Sequence, residues 1–216
     1  SCVKNATNSY EENKALIYQE YEKKLEKMFY LDFNDLILKT ISIFQNNQDI
    51  LKKWQSYLKH ILVDEFQDVD DNQYQLLKLL AGKTSGITVV GDPDQTIYTW
   101  RGANIRIILD FDKDFANVKT IHLEENYRSS ANILKVANRL INAQRLEKNL
   151  FTHSNDGEEI HFFHANSSNE EAQYVADNIL SLYDGKNVFF KDFAVLYRSN
   201  SLSGDLEKVL VERGIP

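Results

Sequence analysis

The sequence predicts an α/β protein organised around the stretch from Ile61 to Gly102, with a helical segment before it. Two observations carry this. Two short β-branched runs, Ile61-Leu62-Val63 and Ile87-Thr88-Val89-Val90, each stop at acidic residues, Asp64-Glu65 and Asp92. Continuous apolar runs of this length read as strands buried on both faces of a parallel sheet. From residue 118 onward, strand-like and helix-like segments alternate, which is the pattern of parallel α/β architecture. Ligands of parallel sheets gather at the carboxyl ends of the strands. Two such ends bearing carboxylates predict one polar site on the rim of an apolar sheet.

In chain order, residues 10–29 read as an amphipathic helix with Tyr18, Tyr21, Leu25, Met28 and Phe29 at helical spacing. A second stripe, Phe33, Leu36, Ile37, Ile41 and Phe44, follows a cap at Asp32. A third helix around 48–58 carries Trp54 and Leu58, and these aromatic stripes are expected to pack in the core. Between the acidic strands, residues 71–81 predict a helix with Leu76, Leu79 and Leu80 inward, ending at Gly82. Another helix from Ala103 to about Phe115 turns Ile105, Ile108 and Leu109 inward. Strands are expected at Val118–Leu123, Glu159–His164 and Phe193–Tyr197. The helices alternating with them span 129–142 (Ile133, Ala137, Leu140, Ile141), 169–183 (Ala172, Val175, Ala176, Ile179, Tyr183) and 201–213 (Leu202, Leu206, Val209, Leu210).

With 216 residues, 43% hydrophobic and 12% aromatic, the chain can bury a real core as one large or two small domains. No apolar run approaches the ~20 residues that span a bilayer, and the start, SCVKNATNSYEENK, lacks the apolar centre of a signal peptide. No membrane partner is expected. The single cysteine, Cys2, excludes an internal disulfide framework and fits a reducing, cytoplasmic setting. The net charge of −7 is not the basic footprint of a nucleic-acid binder. Positive charge does gather in Arg128, Lys135, Arg139, Arg145 and Lys148 against one acid, Glu147, as either a solvated helix face or a binding site.

Asp64-Glu65 suits phosphoryl chemistry, because Mg2+ binds through one or two carboxylates and leaves room for substrate phosphates. A second carboxylate can orient or deprotonate an attacking water. The Asp92-Pro93-Asp94-Gln95 turn would aim Gln95 at the same rim. Alone, the pair reads more readily as solvated strand-end residues. Gly82-Lys83-Thr84 imitates the tail of a phosphate-binding loop, but G-x-x-x-x-G-K-[ST] needs glycine where Leu77 stands. Gly86 and Gly91 have the spacing and are followed by Asp92-Pro93, so no such loop is present in these residues. His161 and His164 would face opposite sides of a strand and make a poor metal pair.

Three strings change the reading. VDEFQD, GDPDQTIYTWRGA and LEENYRSS, in that order, resemble motifs II, III and IV of the UvrD/Rep/PcrA-type superfamily 1 DNA helicases. The resemblance extends through YQEYEKKLEKMFYLDFNDLI at 18–37 and DFAVLYRSN at 192–200, covering nearly all of the chain from about residue 15. It implies RecA-like parallel-sheet motor domains. Residues 1–30 would be the helical end of an accessory subdomain, 31–125 the C-terminal part of a first motor domain, and 126–216 the N-terminal part of a second. It also implies an internal piece of a larger protein, inactive by itself without the loop that grips the phosphates.

Among residues, the resemblance assigns Mg2+ coordination to Asp64, water activation to Glu65 and γ-phosphate sensing to Gln95. Arg128 would reach the γ-phosphate of ATP across a domain cleft, as its planar fork suits, and Tyr127 would stack on adenine. Gln67 and Asp68 complete the acidic box, acting directly or as hydrogen-bonding supports. Tyr98 and Trp100, two apart in an extended segment, would share a side and stack on bases of single-stranded DNA, with burial in the core as the alternative. Arg101 would pair with an acid or a DNA phosphate. Arg198 and Asn200 resemble a segment that touches the DNA backbone, although Gly204 stands where relatives carry an arginine, and Asn34 where an acid is common.

The implied activity is ATP-driven 3′-to-5′ movement on single-stranded DNA with unwinding of duplex DNA, in replication or repair and alongside proteins of those processes. The rivals are the helicase part of a recombination helicase–nuclease complex and a non-catalytic interaction module that keeps the motor fold.

Overall fold

The computed structural model describes residues 8–82, 86–142 and 149–216. Cys2, Lys83, Thr84, Arg145, Glu147 and Lys148, all invoked from the sequence, lie outside the described residues. The chain forms two compact units, Ser1–His122 and Leu123–Pro216. Among the described residues no helix is long and apolar enough to cross a membrane.

The first unit runs α1 (Ser9–Met28), α2 (Phe33–Asn46), α3 (Gln48–Tyr57), β1 (His60–Val63), α4 (Asp71–Ala81), β2 (Gly86–Val89), α5 (Ile105–Leu109) and α6 (Phe111–Asp114). Side-chain caps set several boundaries. Asn8 accepts the Glu11 N–H at the start of α1, and Phe29, at φ 56°, ends it. Asp32 forms a reciprocal capping box with Asp35 at α2, and Asp70 does so with Gln73 at α4. Each cap satisfies otherwise orphaned amides and is worth about 1 kcal/mol.

β1 and β2 pair in parallel, Ile61 opposite Ile87 and Val63 opposite Val89, with α4 in the connection. Ile61, Val63 and Val89 pack on a buried cluster of Phe66, Tyr74, Leu77 and Ile107. Leu62, on the opposite side, is 76% exposed. The expectation of strands covered on both faces is thus corrected. Among the described residues the buried side chains of α4 and α5 reach the sheet from one side only.

The aromatic stripe of α1 is likewise not core: Ala15 is its buried residue, and Tyr18, Tyr21, Met28 and Phe29 are exposed. Helical spacing identifies a face but supplies no partner for it. In α2, Ile41 and Phe44 are buried as expected while Phe33 and Leu36 are not; in α3 the buried residue is Leu51, not Trp54. In α4, Tyr74, Leu77 and Ala81 are the buried positions, with Leu76, Leu79 and Leu80 only partly covered. The single helix expected from Ala103 to Phe115 breaks at Asp110, a residue type that competes with the helical backbone.

The second unit contains α7 (Ala131–Asn142), α8 (Ser168–Leu182) and α9 (Ser203–Glu212). α8 and α9 enclose Ala172, Ala176, Ile179, Val209 and Ile215, much as the periodicity predicts, although Tyr183 and Leu202 stay exposed. In α7 the buried residue is Leu134, while Ile133 and Leu140 are exposed. Asn138 fixes this face by both donating to and accepting from the Leu150 backbone. The three strands expected at 118–123, 159–164 and 193–197 are not formed. β-propensity favours an extended backbone, but a strand exists only where a neighbour completes the ladder. Among the described residues of the second unit such pairing occurs only as a single bridge between Glu125 and Phe151.

Asp184 closes the turn after α8 by accepting the Val188, Lys186 and Asn187 N–H groups, which hold its carboxyl far below the usual range. A depressed folded-state pKa contributes stability above the unfolded value, near 3.9, that is lost as pH falls through the folded value. Between about pH 5 and pH 2, Asp184→Asn should therefore show a shallower fall of its unfolding midpoint than the wild type, read by circular dichroism melts across that range.

Candidate functional site

The two acidic strand ends are stitched together by the backbone. Val90 N–H donates to Val63 C=O (2.8 Å), and Phe66 N–H donates back to Val90 C=O (2.9 Å). To make that return the chain turns at Glu65, with φ 48° and ψ 44°, a left-handed backbone uncommon outside glycine. A 3-10 turn, Phe66–Asp68, follows. Asp64 and Glu65 are left exposed on the rim, with Asp64 Oδ1 accepting the Glu65 N–H (2.9 Å).

Gln67 lies beneath them, 2% exposed. Its Nε2 donates to Glu65 Oε2 (2.7 Å), and its Oε1 accepts the Asp92 N–H (3.0 Å). Asp92 then orders the Pro93–Gln95 turn. Its Oδ1 accepts the Asp94 N–H (3.1 Å) and its Oδ2 accepts Gln95 Nε2 (2.8 Å). Glu65, Gln67, Asp92 and Gln95 thus form one continuous hydrogen-bonded row across both strand ends. Gly91 permits it, because a Cβ there would stand 2.7 Å from Gln67 Oε1 and 3.0 Å from the Phe66 backbone nitrogen. The orienting role of Asp92 was missed by sequence reasoning; an Asp opening a Pro-containing turn was the available signal. Asp68 keeps one buried carboxylate oxygen, Oδ1, without a hydrogen-bond partner among the described residues.

Tyr98, Trp100 and Arg101 come next, and here the expected extended segment is replaced by a 3-10 turn, Thr99–Arg101, ended by Gly102 at φ 99°. The turn, rather than strand alternation, brings the two rings together, with centroids 6.3 Å apart and tilted by 53°. The Arg101 guanidinium lies 4.6 Å from the Trp100 ring and 5.1 Å from the Tyr98 ring, a doubly aromatic setting that neither sequence alternative foresaw. Trp100 is 73% exposed, so it is not a core residue. The turn is anchored to the acidic box by Asn104 N–H donating to Val69 C=O (3.1 Å).

In the second unit, Asn126 Oδ1 accepts the Arg128 and Ser129 N–H groups, presenting Tyr127 and Arg128 on an exposed loop before α7. The Tyr127 hydroxyl donates to Glu125 Oε2 (2.6 Å), which pushes its phenol pKa up. Arg128 has no acidic partner among the described residues. Arg198 and Asn200 are exposed around the 3-10 turn Asn200–Leu202, and a Cβ at Gly204 would meet open space.

No group of three or more His, Cys, Asp or Glu that could hold a metal ion occurs among the described residues. A lone exposed carboxylate, Asp64, does fit Mg2+, which takes few protein ligands and completes its shell with water and phosphate oxygens.

A parallel β-α-β unit with acidic residues at two adjacent strand ends, followed by a second unit of its own, belongs to the α/β class of RecA-like motor folds. The chain is a member of the UvrD/REP helicase family. The UvrD/REP helicase N-terminal domain matches residues 2–116, and the UvrD-like helicase C-terminal domain matches residues 121–216. It is 42% identical over 216 residues to the ATP-dependent DNA helicase PcrA of Leuconostoc citreum, covering 99% of this chain and 29% of that protein. It is 45% identical over 213 residues to the ATP-dependent DNA helicase Rep of Buchnera aphidicola, covering 98% and 33%. The chain therefore spans about a third of the length of these relatives.

Proposed function

We propose that this chain is part of an ATP-dependent DNA helicase that translocates 3′ to 5′ on single-stranded DNA and unwinds duplex DNA in replication or repair, as a cytoplasmic motor. The observation that supports the proposal is the hydrogen-bonded row joining Glu65 to Gln95, which holds the carboxylate assigned to the water and the amide assigned to the terminal phosphate on one rim. In this reading residues 1–30 end an accessory subdomain, 31–125 belong to the first motor domain and 126–216 to the second.

Bound Mg2+ would neutralise charge on the β- and γ-phosphates of ATP, held by Asp64. Glu65 accepts a proton from the attacking water as it approaches the γ-phosphate. Gln95 hydrogen-bonds the terminal phosphate without adding charge, so its turn registers whether that phosphate is present. Arg128 supplies a planar cation for the developing negative charge and Tyr127 a face for adenine. Tyr98 and Trp100 offer stacking surfaces that tolerate any base sequence, as a translocating motor needs. The 216 residues alone hydrolyse ATP poorly in this reading, because they hold no G-x-x-x-x-G-K-[ST] loop.

The test is ATP hydrolysis by the full-length gene product with and without single-stranded DNA, together with unwinding of duplexes bearing a 3′ or a 5′ overhang. Stimulation by DNA and preference for the 3′ overhang are expected; a DNA-independent rate, or no hydrolysis, overturns the proposal. Trp100→Ala should leave the basal rate in place and weaken the DNA affinity measured from the stimulation curve by about 1–3 kcal/mol, the worth of one stacked base.

A further inference from the structure

We propose that Gln67 is a positioning residue that locks Glu65 to the Asp92–Gln95 turn, so that the water-activating and phosphate-sensing groups move as one. The inference rests on the proposed hydrolytic role of Glu65 and Gln95, and goes beyond it by assigning the link between them. Gln67 is buried at 2% exposure although it is an uncharged polar residue on a surface turn. Both ends of its amide are used, and by opposite edges of the site: Nε2 on the Glu65 carboxylate, Oε1 on the Asp92 N–H. A neutral amide of this length donates at one atom and accepts at its neighbour without carrying charge.

Three features around the amide serve the same link. Glu65 holds a left-handed backbone, φ 48°, which aims its carboxylate back over Gln67. Such outliers persist only where the surroundings over-determine them and gather at functional sites. Gly91 leaves Gln67 Oε1 the space that any Cβ would take. Asp92, whose amide Gln67 holds, orients the Gln95 side chain through Oδ2. A shift of Gln95 on loss of the terminal phosphate would thus be passed to Glu65 through one buried amide, without rearrangement of the strands.

The experiment uses the full-length protein and steady-state ATP hydrolysis with saturating single-stranded DNA. Gln67→Met keeps the volume and removes both hydrogen bonds; Gln67→Asn keeps a neutral amide that is one methylene too short to hold Glu65 and Asp92 together. Both should lower kcat on the order of 10–100-fold with the KM for ATP changed less than about threefold, because an orientation effective in the transition state is lost. Gln67→Met combined with Gln95→Ala should fall no further than the stronger single variant, since contiguous residues acting as a unit are non-additive. Wild-type kcat in Gln67→Met, or strictly multiplicative losses in the double variant, overturns the inference.

Should Gln67→Met fail to fold, Gln67→Asn in the same assay decides: wild-type kcat overturns the inference and a kcat-confined loss supports it. Glu65→Gln separates the two levels of interpretation. If it hydrolyses ATP at the wild-type rate, the proposed catalytic site fails. If it is inactive while the Gln67 variants are normal, only the link fails.

Discussion

Glu65→Gln in the full-length protein should lower ATP hydrolysis by about 10²–10⁴-fold, the range supplied by one positioned general base. The substitution is close to isosteric and exchanges a proton acceptor for a neutral amide. Glu65 is exposed on the rim, so no buried charge is uncovered and no cavity forms. Its contact with Gln67 Nε2 survives through the new amide oxygen, so the row to Asp92 and Gln95 is kept. Nucleotide binding should therefore persist while turnover is lost, a separation read by equilibrium titration of labelled ATP beside the steady-state rate. An unfolding midpoint within a degree or two of wild type would show that chemistry, not folding, was removed. Turnover that survives would mean that the water is activated elsewhere.

Phe66→Ala should be the most damaging single change to stability, costing about 3–5 kcal/mol. Phe66 is 0% exposed and meets Phe111 and Tyr74 edge-on, with centroids 5.4 and 6.1 Å away. Truncation loses the transfer free energy of the ring, leaves a cavity and forfeits two aromatic pairs. It also loosens the turn whose N–H reaches Val90, and so the residues on either side, Glu65 and Gln67. Chemical denaturation followed by circular dichroism measures the cost, and hydrogen exchange across 60–115 should show the loss of protection concentrated there. Phe66→Leu, which refills most of the volume, should recover much of it.

The local framework of the candidate site is legible in the sequence. The acidic run after Val63, the turn opened by Asp92 and the Pro93 that favours it are local signals, and each appears where the residues alone predicted it. The Asp32 cap and the periodicity of α8 were legible for the same reason, since hydrogen bonds three or four residues apart are written in adjacent sequence. The Tyr98–Trp100 pairing was anticipated with the wrong backbone: alternation assumed an extended segment, whereas a 3-10 turn draws the rings together. The strands expected at 118–123, 159–164 and 193–197 show the limit of propensity, which describes a residue and not its neighbour.

By itself, then, the sequence determined which chemical groups this protein owns, the order in which they occur, the two β-branched runs that carry them and the helicase family to which the chain belongs. The tertiary structure decided what those groups do to one another. It buried Gln67 between Glu65 and Asp92, required glycine at position 91, folded Arg101 over two rings and left the aromatic stripe of α1 uncovered. The physical reason is one of range. Caps, turns and amphipathic faces form between residues a few positions apart, whereas the Gln67 bridge spans 25 positions and exists only once two strands have paired.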